Sequence, residues 1–429
     1  MSGRGVGLDR GQTCRGDLRP GPGLVHALNT PAGERLTHVA GRSYGRLLAL
    51  LAAQCRDIAA AEDALADAME RALQRWPQDG IPGNPEAWLL TVARNRLRDM
   101  WKSPAHRLTG PLTDDYDVVE GGAEAAEIPD RRLELMLVCA HPAIAVDIRT
   151  PLMLQTVLGV DAAAIAAAFA VAPATMAQRL VRAKKRIRDT GIPFTLPERA
   201  DLATRLPEVL EAVYGAYSID WLSVPQRPVI DSLASEALHL ALVLVELLPE
   251  EPEALGLAAL ICLCEARRPA RFDRSGNFVA LDDQDRGRWD TGLLARGERL
   301  LAQAHRSRRP GRFQYEAAIQ SAHCAAGVDR QAVRKLYRAL MRVGPSLGAA
   351  VALAALDGEI DGADAGLRAL NAITDRSADV FQPAWVTRGH LLAEAGRAEE
   401  AAAAYRRAIE LTSDEAVRSH LTGRIRRLS

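Results

Sequence analysis

Aromatic residues are scarce in this chain of 429 residues: Phe, Trp and Tyr together make up 4%, although 48% of the residues are hydrophobic. Ala and Leu fill the interior instead, and both favour the helix. No long alternation of Val, Ile or Thr indicates a sheet, whereas runs such as Ala162–Ala168 and Ala401–Ala404 are typical of tightly packed helices. The sequence therefore predicts an all-α fold.

An excess of charge of either sign is also missing, because 54 Lys and Arg residues balance 54 Asp and Glu residues. Any nucleic-acid interface must therefore be local. No uncharged apolar stretch of about 18 residues is present, and residues 1–36 lack the apolar segment of a signal peptide. We therefore expect a cytoplasmic protein with a disordered leader over residues 1–36 and no contact with a membrane.

The motifs of common enzymes are absent as well. The sequence contains no P-loop, GxSxG or HExxH pattern, and its six cysteines form no paired CxxC array. These cysteines fit reduced core thiols, and we predict no metal and no cofactor. The carboxylates of Asp357–Asp364 favour a polar loop between helices over a catalytic site, so the chain is not expected to be an enzyme.

A helix-turn-helix pattern is the strongest positive signal. Asp161 can cap a first short helix, Ala170 to Ala172 form a turn, and Pro173 suits the first position of a second helix. Met176, Leu180, Ala183 and Ile187 recur at helical spacing and should face the core. Six basic residues and no acidic one lie between Arg179 and Arg188. Polar side chains near the start of such a helix can reach base edges, and cations further along can meet phosphates. A solvated basic face is the alternative.

A second pattern lies between Pro82 and Lys102. An apolar stripe predicts a helix from about Pro85, with cations and Trp101 on the opposite face. Single-stranded DNA is bound by such a mixture, because bases stack on rings while phosphates meet charges. Asn84 could contact a base or simply cap the helix, and Trp88 fits the core better than a contact surface.

The segment from Ile58 to Trp76 predicts a third helix, with a complete apolar stripe and an acidic outer face. That face suits a basic protein partner and not DNA, although a solvated face would look the same. From about Pro197 the chain predicts an array of helices with balanced charge and no concentrated basic face. Within it, Trp385–Ala408 has the spacing of a tetratricopeptide repeat, with Gly396 at the turn between two helices.

These segments, in this order, resemble the extracytoplasmic-function class of RNA polymerase sigma factors. The stretch AEDALADAMERALQRWP is similar to the polymerase-binding helix of sigma region 2, and NPEAWLLTVARNRLRDMW to the part that reads the −10 element. The stretch AAIAAAFAVAPATMAQRLVRAKKRIR resembles the region 4 helix-turn-helix, which reads the −35 element. LMLVCAHPAI and RIRDTGIPF point to the subgroup with a C-terminal tetratricopeptide-like domain.

The resemblance implies roles and boundaries. It places region 2 at residues 37–103, a flexible linker at 104–130, region 4 at 131–195 and a tetratricopeptide-like regulatory array at 196–429. The implied −35 contacts are Thr175, Gln178, Arg179, Arg182, Lys185 and Arg186. The implied −10 contacts are Asn84, Arg94, Asn95, Arg98, Trp101 and Lys102. The implied polymerase contacts are Glu62, Asp63, Leu65, Asp67 and Glu70.

The partners implied are core RNA polymerase, promoter DNA and a protein that binds the C-terminal array. Two other classes stay open at this point. The chain could be a helix-turn-helix regulator, or a sigma-like scaffold, that does not engage core polymerase. An enzyme is the third class, which the missing motifs disfavour.

Overall fold

A computed structural model of the chain describes residues 30–102, 129–169, 171–222, 233–325, 327–412 and 414–428. Within these ranges the secondary structure is helical, apart from short 3-10 turns and one isolated bridge between Phe272 and Phe278, so the predicted all-α fold is confirmed. Contacts divide the described residues into two compact units, one within residues 30–43 and 60–102 and the other within residues 44–59 and 129–428.

The α-helices are numbered here in chain order. They are α1 Pro31–Cys55, α2 Ile58–Asp79, α3 Pro85–Lys102, α4 Arg132–Cys139, α5 Val146–Thr156, α6 Ala162–Ala168, α7 Pro173–Thr190, α8 Arg199–Leu222, α9 Leu233–Leu247, α10 Pro252–Glu265, α11 Thr291–Arg306, α12 Arg312–Cys324, α13 Arg330–Val343, α14 Leu347–Asp361, α15 Ala363–Asn371, α16 Gln382–Glu394, α17 Ala398–Glu410 and α18 Glu415–Arg426.

The first helix begins earlier than its periodicity indicates. Hydrophobic spacing predicts a start near Val39 and a disordered leader to residue 36, but α1 already begins at Pro31. Thr30 explains the difference, because its hydroxyl accepts a hydrogen bond from the Gly33 N–H at 3.1 Å and proline suits the first helical position. Residues 1–29 of the predicted leader, residue 103 and residues 104–128 of the predicted linker lie outside the described ranges.

In the first unit, α2 and α3 bury the apolar stripes expected of them. The buried members are Ala61, Leu65, Ala68, Ala72 and Trp76 in α2, and Leu89, Ala93 and Leu97 in α3. Helix α2 continues past its predicted end at Trp76 to Asp79. Gly80 then ends it, with a φ of +87° and its N–H bonded to the Trp76 carbonyl.

In the second unit, a short α4–α7 segment is followed by a long array, α8–α18. Each array helix from α8 onward packs on the next, and α8 with α10, α10 with α12 and α14 with α16 also touch. This nearest-neighbour arrangement is that of a solenoid. At one crossing a β-carbon on Gly389 would lie 2.7 Å from the Tyr405 ring, so only glycine permits this approach.

The acidic segment Asp357–Asp364 differs from the predicted loop, because α14 extends through Asp361. Its carboxylates are bound by arginines of α13. Arg334 lies 2.6 Å from Asp361, and Arg330 lies 2.5 Å from Glu359. These ion pairs hold the acidic residues against α13, and α14 continues to Asp361 before Gly362.

The array is joined to the α4–α7 segment through α8, which contacts both α4 and α5. The guanidinium of Arg149 in α5 is buried and lies 2.5 Å from the Glu208 carboxylate of α8. Arg205 of α8 is also buried and donates to the Leu137 carbonyl at 3.2 Å. The sequence predicts a domain boundary at residue 196. In the structure, α8, which follows that position, packs on α4 and α5, which precede it.

The sequence also makes predictions about the cysteines and the hydropathy of the helices, and the structure describes both. Cys139, Cys262 and Cys264 are buried, and burial raises the pKa of the Cys262 thiol to about 11. In the described part of the chain no single helix is long and apolar enough to cross a bilayer. Taken together, the bent pair of α6 and α7 has the length and the apolar composition of a membrane-spanning segment, and these are the only two properties that indicate one.

The Arg149–Glu208 pair gives a first testable prediction. Glu208→Gln leaves a buried guanidinium without its counter-charge, which typically costs about 3 kcal/mol or more. We expect a clear fall in the melting temperature of the full chain, followed by circular dichroism. Glu400→Gln removes an exposed carboxylate that pairs with Arg397 and should leave the melting temperature nearly unchanged. Equal effects of the two changes would contradict the structural role of Glu208.

Candidate nucleic-acid interface

Helices α6 and α7 form the predicted helix-turn-helix. The Asp161 side chain accepts from the Ala163 N–H at 2.8 Å and so caps α6. Pro173 occupies the first turn of α7, and the two helix directions differ by 111°. This angle lies within the range typical of the motif. Ala170, in the predicted turn, lies outside the described residues.

The inner face of α7 is apolar, as predicted. Met176, Leu180, Ala183 and Ile187 are all buried, and Lys184 is buried beside them. Gly191 closes the helix in the left-handed conformation with a φ of +62°, as its position before Ile192 and Pro193 indicates. The core contacts of α7 therefore fix which side chains face outward.

The six candidate −35 residues lie on the outer part of α7. Arg179 is half-buried, and the other five are exposed: Thr175, Gln178, Arg182, Lys185 and Arg186. The Arg182 guanidinium donates to the Gln178 side-chain oxygen at 3.3 Å. Lys185 lies 3.3 Å from Asp189 on the same helix. Polar groups near the start of the helix and cations toward its end thus share a solvent-facing surface, as base and phosphate contacts require.

Two carboxylates from outside the helix reach this surface, and the sequence pattern does not reveal either contact. Asp147, in the first turn of α5, lies 3.3 Å from the Arg179 guanidinium. Asp57, in the turn after α1, lies 3.4 Å from Arg188 and is the main cause of the raised pKa of Arg188. Both pairs join residues far apart in the chain, so local spacing carries no signal for them.

The candidate −10 residues lie on or just before α3. The Asn84 side chain accepts from the Ala87 N–H at 3.1 Å, so it acts as a helix cap. Arg98 and Asn95 are exposed and hydrogen-bonded to each other at 3.3 Å. Arg94 is half-buried, and burial followed by the charge of Arg98 lowers its pKa.

Both tryptophans of α3 are partly exposed. Trp88 packs edge-on against Trp76, with ring centroids 5.6 Å apart, which agrees with a core role. Trp101 is half-buried. Lys102 ends α3, and its side chain lies outside the described part of the chain.

The candidate polymerase-binding residues of α2 differ in their exposure to solvent. Asp63 and Glu70 are exposed, and Glu62 and Asp67 are half-buried. Asp67 lies 2.5 Å from Arg96 of α3. Leu65 is fully buried, so it belongs to the core and cannot touch a partner directly. The outward acidic surface of α2 therefore consists mainly of Asp63 and Glu70.

Within the described ranges, no three His, Cys, Asp or Glu side chains lie close enough together to hold a metal ion.

Comparison with known proteins agrees with this geometry. Residues 40–107 match the family model of sigma-70 region 2, and residues 205–305 match a family of unknown function (DUF6596). The first match contains all of α2 and α3 and most of α1, and the second spans from α8 into α11. No solved structure matches the chain.

Two relatives are informative. An uncharacterized protein of Rhizobium meliloti (strain 1021) is 35% identical over 372 residues, which cover 84% of this chain and 88% of that protein. A probable RNA polymerase sigma factor RfaY of Xanthomonas campestris pv. campestris is 31% identical over 185 residues. This second match covers 38% of the chain and 46% of the relative.

The sigma-70 region 2 match and the sigma factor relative support a sigma factor role, and each covers less than half of this chain. The chain belongs to the same protein family as the Rhizobium meliloti protein, to which it is similar over most of both lengths. Sigma factors act with core RNA polymerase and promoter DNA.

The Asp147–Arg179 pair yields a second prediction. If α7 contacts DNA, the Asp147 carboxylate competes with phosphate for the Arg179 guanidinium and repels the DNA backbone. Asp147→Asn should raise the affinity for DNA of any sequence by a few fold, as expected for one exposed ion pair, in a fluorescence-anisotropy titration. Asp364→Asn makes the same charge change on α15 and serves as the control. Equal affinities of the two variants would show that Asp147 does not restrain Arg179.

Proposed function

We propose that this chain is an extracytoplasmic-function type sigma factor that directs core polymerase to a specific set of promoters. In this proposal the acidic surface of α2 binds polymerase, α3 reads the −10 element and α7 reads the −35 element. The observation that carries it is a basic, outward-facing second helix in a helix-turn-helix, on the same chain as a sigma-70 region 2. Such a role places the protein in the cytoplasm.

The electrostatics support this division of labour. Polymerase binding is assigned to exposed carboxylates on α2, which would repel DNA. DNA binding is assigned to α7, where six basic residues occur without an acidic one between Arg179 and Arg188. Since the whole chain is neutral, this local separation of charge is what can orient it between a protein and a nucleic acid.

We further propose that the α8–α18 array is a tetratricopeptide-like regulatory domain that binds a protein partner. Its stacked helices and the close crossing of α16 and α17 at Gly389 support this assignment. Because α8 packs on α4 and α5, the array can influence the platform on which α7 sits. A partner that shifts α8 would therefore alter −35 binding.

Polymerase binding is tested by charge reversal on α2. We expect Asp63→Lys combined with Glu70→Lys to abolish co-purification with core polymerase, because both side chains are exposed and leave the core untouched. The matched control reverses two exposed charges of the array, Glu246→Lys with Glu399→Lys, and should bind normally. Retained binding by the α2 variant would contradict the assigned surface.

Promoter reading is tested on α7. Base contacts discriminate between sequences, whereas phosphate contacts act alike on all of them. Gln178→Ala should change which −35 sequences are preferred, by about 1–3 kcal/mol per lost base contact. Lys185→Ala should weaken every promoter equally and lower the salt dependence of binding. Selection from a randomised −35 library measures both effects, and identical selected sequences for wild type and Gln178→Ala would contradict base reading by this residue.

The array is tested by deletion. Removing residues 197–429 exposes the faces of α4 and α5 that α8 covers and strips Arg149 of Glu208, so we expect a poorly soluble fragment without −35-dependent transcription. Removing only 363–429 leaves α8 and its contacts with α4 and α5 in place, so we expect −35-dependent run-off transcription to be retained at an altered level. A soluble, fully active 1–196 fragment would contradict the coupling through α8.

A further inference from the structure

Helix α11 and the loop after it hold a second concentration of basic residues. Between Arg296 and Arg312 the sequence has six arginines and one acidic residue, Glu298. The balanced charge of the array predicts no concentrated basic face, and this segment shows that the prediction is wrong locally. Arg296, Arg299 and Arg306 are exposed.

The three arginines share one side of α11. At about 100° per residue they fall within an arc of about 80°, and Arg296 and Arg306 lie about 15 Å apart along the axis. The buried side of α11, formed by Gly297, Leu300 and Ala304, is centred about 110° away around the helix. Packing of that side against the array therefore forces the arginines outward.

These arginines have no counter-charge within the described part of the array. In the part of the chain that the structure describes, no carboxylate lies within ion-pair distance of Arg296, Arg299 or Arg306, whereas Arg330 and Arg334 of α13 pair with acids of α14. The helix dipole favours a cation in the last turn, which accounts for Arg306 but not for Arg296 or Arg299. Nothing within the array thus requires the charge on this face.

The loop after α11 adds a strained residue to the same end. Arg308 is exposed and adopts a φ of +53°, which is uncommon for a residue with a β-carbon. Backbone strain of this kind persists only where the surroundings enforce it and often marks a functional surface. Arg308 thereby extends the unpaired basic face beyond the end of the helix.

The helices that pack in succession between α7 and α11 limit the distance between these two helix axes. Helix α7 packs on α5, α5 on α8, α8 on α10 and α10 on α11. At about 8–10 Å for each helix pair, the axes of α7 and α11 are at most about 40 Å apart. Duplex DNA covers that distance in about 12 base pairs, so DNA held by α7 extends far enough to meet α11.

We propose that the face formed by Arg296, Arg299, Arg306 and Arg308 binds the phosphate backbone of promoter DNA beyond the sequence that α7 reads. The proposal rests on the proposed function of α7. In this proposal the array binds DNA independently of its sequence, in addition to any protein that the array contacts. Guanidinium groups suit this role because they bind phosphate oxygens in a bidentate manner.

The test uses holoenzyme assembled from core polymerase and the full chain. The probe is a promoter fragment selected by the wild-type holoenzyme that extends about 30 base pairs beyond the −35 sequence, well past the reach of α11. Arg296→Gln, Arg299→Gln and Arg306→Gln are combined in one variant. We expect weaker binding and a smaller slope of log affinity against log salt, by about 0.9 for each lost phosphate contact.

The control variant carries Arg342→Gln, Arg368→Gln and Arg406→Gln, which make the same change in net charge at exposed positions of α13, α15 and α17. It should keep the wild-type slope. On a fragment that ends at the −35 sequence, all three proteins should bind alike. An unchanged slope for the α11 variant, or equal losses in both variants, would overturn the proposal while leaving the sigma function intact. Failure of the wild-type holoenzyme to bind any promoter would overturn both.

Discussion

The buried guanidinium of Arg149 is the interaction on which the second compact unit depends. It donates to the Ile144 carbonyl at 2.9 Å and lies 2.5 Å from the Glu208 carboxylate. An arginine removed from water is tolerated only when its charge is matched and its N–H groups are bonded. Helix α8 supplies the matching charge, so the array must begin against α4 and α5. The helix that we propose to read DNA and the array that we propose to regulate it therefore share one platform.

A neutral chain can still serve two partners of opposite charge if its charges are sorted by surface. Exposed carboxylates of α2 and exposed cations of α7 lie on separate elements, and each faces away from the apolar stripe that holds its helix in place. On α13, by contrast, arginines are neutralised by acids of the next helix. Pairing with acids of the next helix thus identifies arginines of α13 that contribute to packing within the array.

Much of the helix-turn-helix could be predicted because its determinants are local. The cap at Asp161, the proline at the start of α7 and the glycine after its end each act within a few residues. The apolar stripe of α7 follows from helical spacing alone. These features need no knowledge of the rest of the fold, and the structure reproduces each of them.

Long-range pairings could not be predicted in the same way. Asp147 restrains Arg179 and Glu208 neutralises Arg149, but these partners are brought together only by tertiary packing. Ion pairs from α13 likewise reach the helical stretch Asp357–Asp361, although the composition of that stretch favours a loop. Leu65 was assigned to a contact surface by resemblance, while its place on the buried stripe of α2 decides its role.

The central claim is that this chain gives core polymerase its promoter specificity. Run-off transcription from a pool of genomic fragments, with purified core polymerase in the presence and absence of the full chain, tests it most directly. The account predicts discrete transcripts that appear only with the chain and share −35 and −10 sequences at a constant separation. Binding of the chain to DNA without any chain-dependent transcript would contradict it and would favour a DNA-binding regulator that does not engage polymerase.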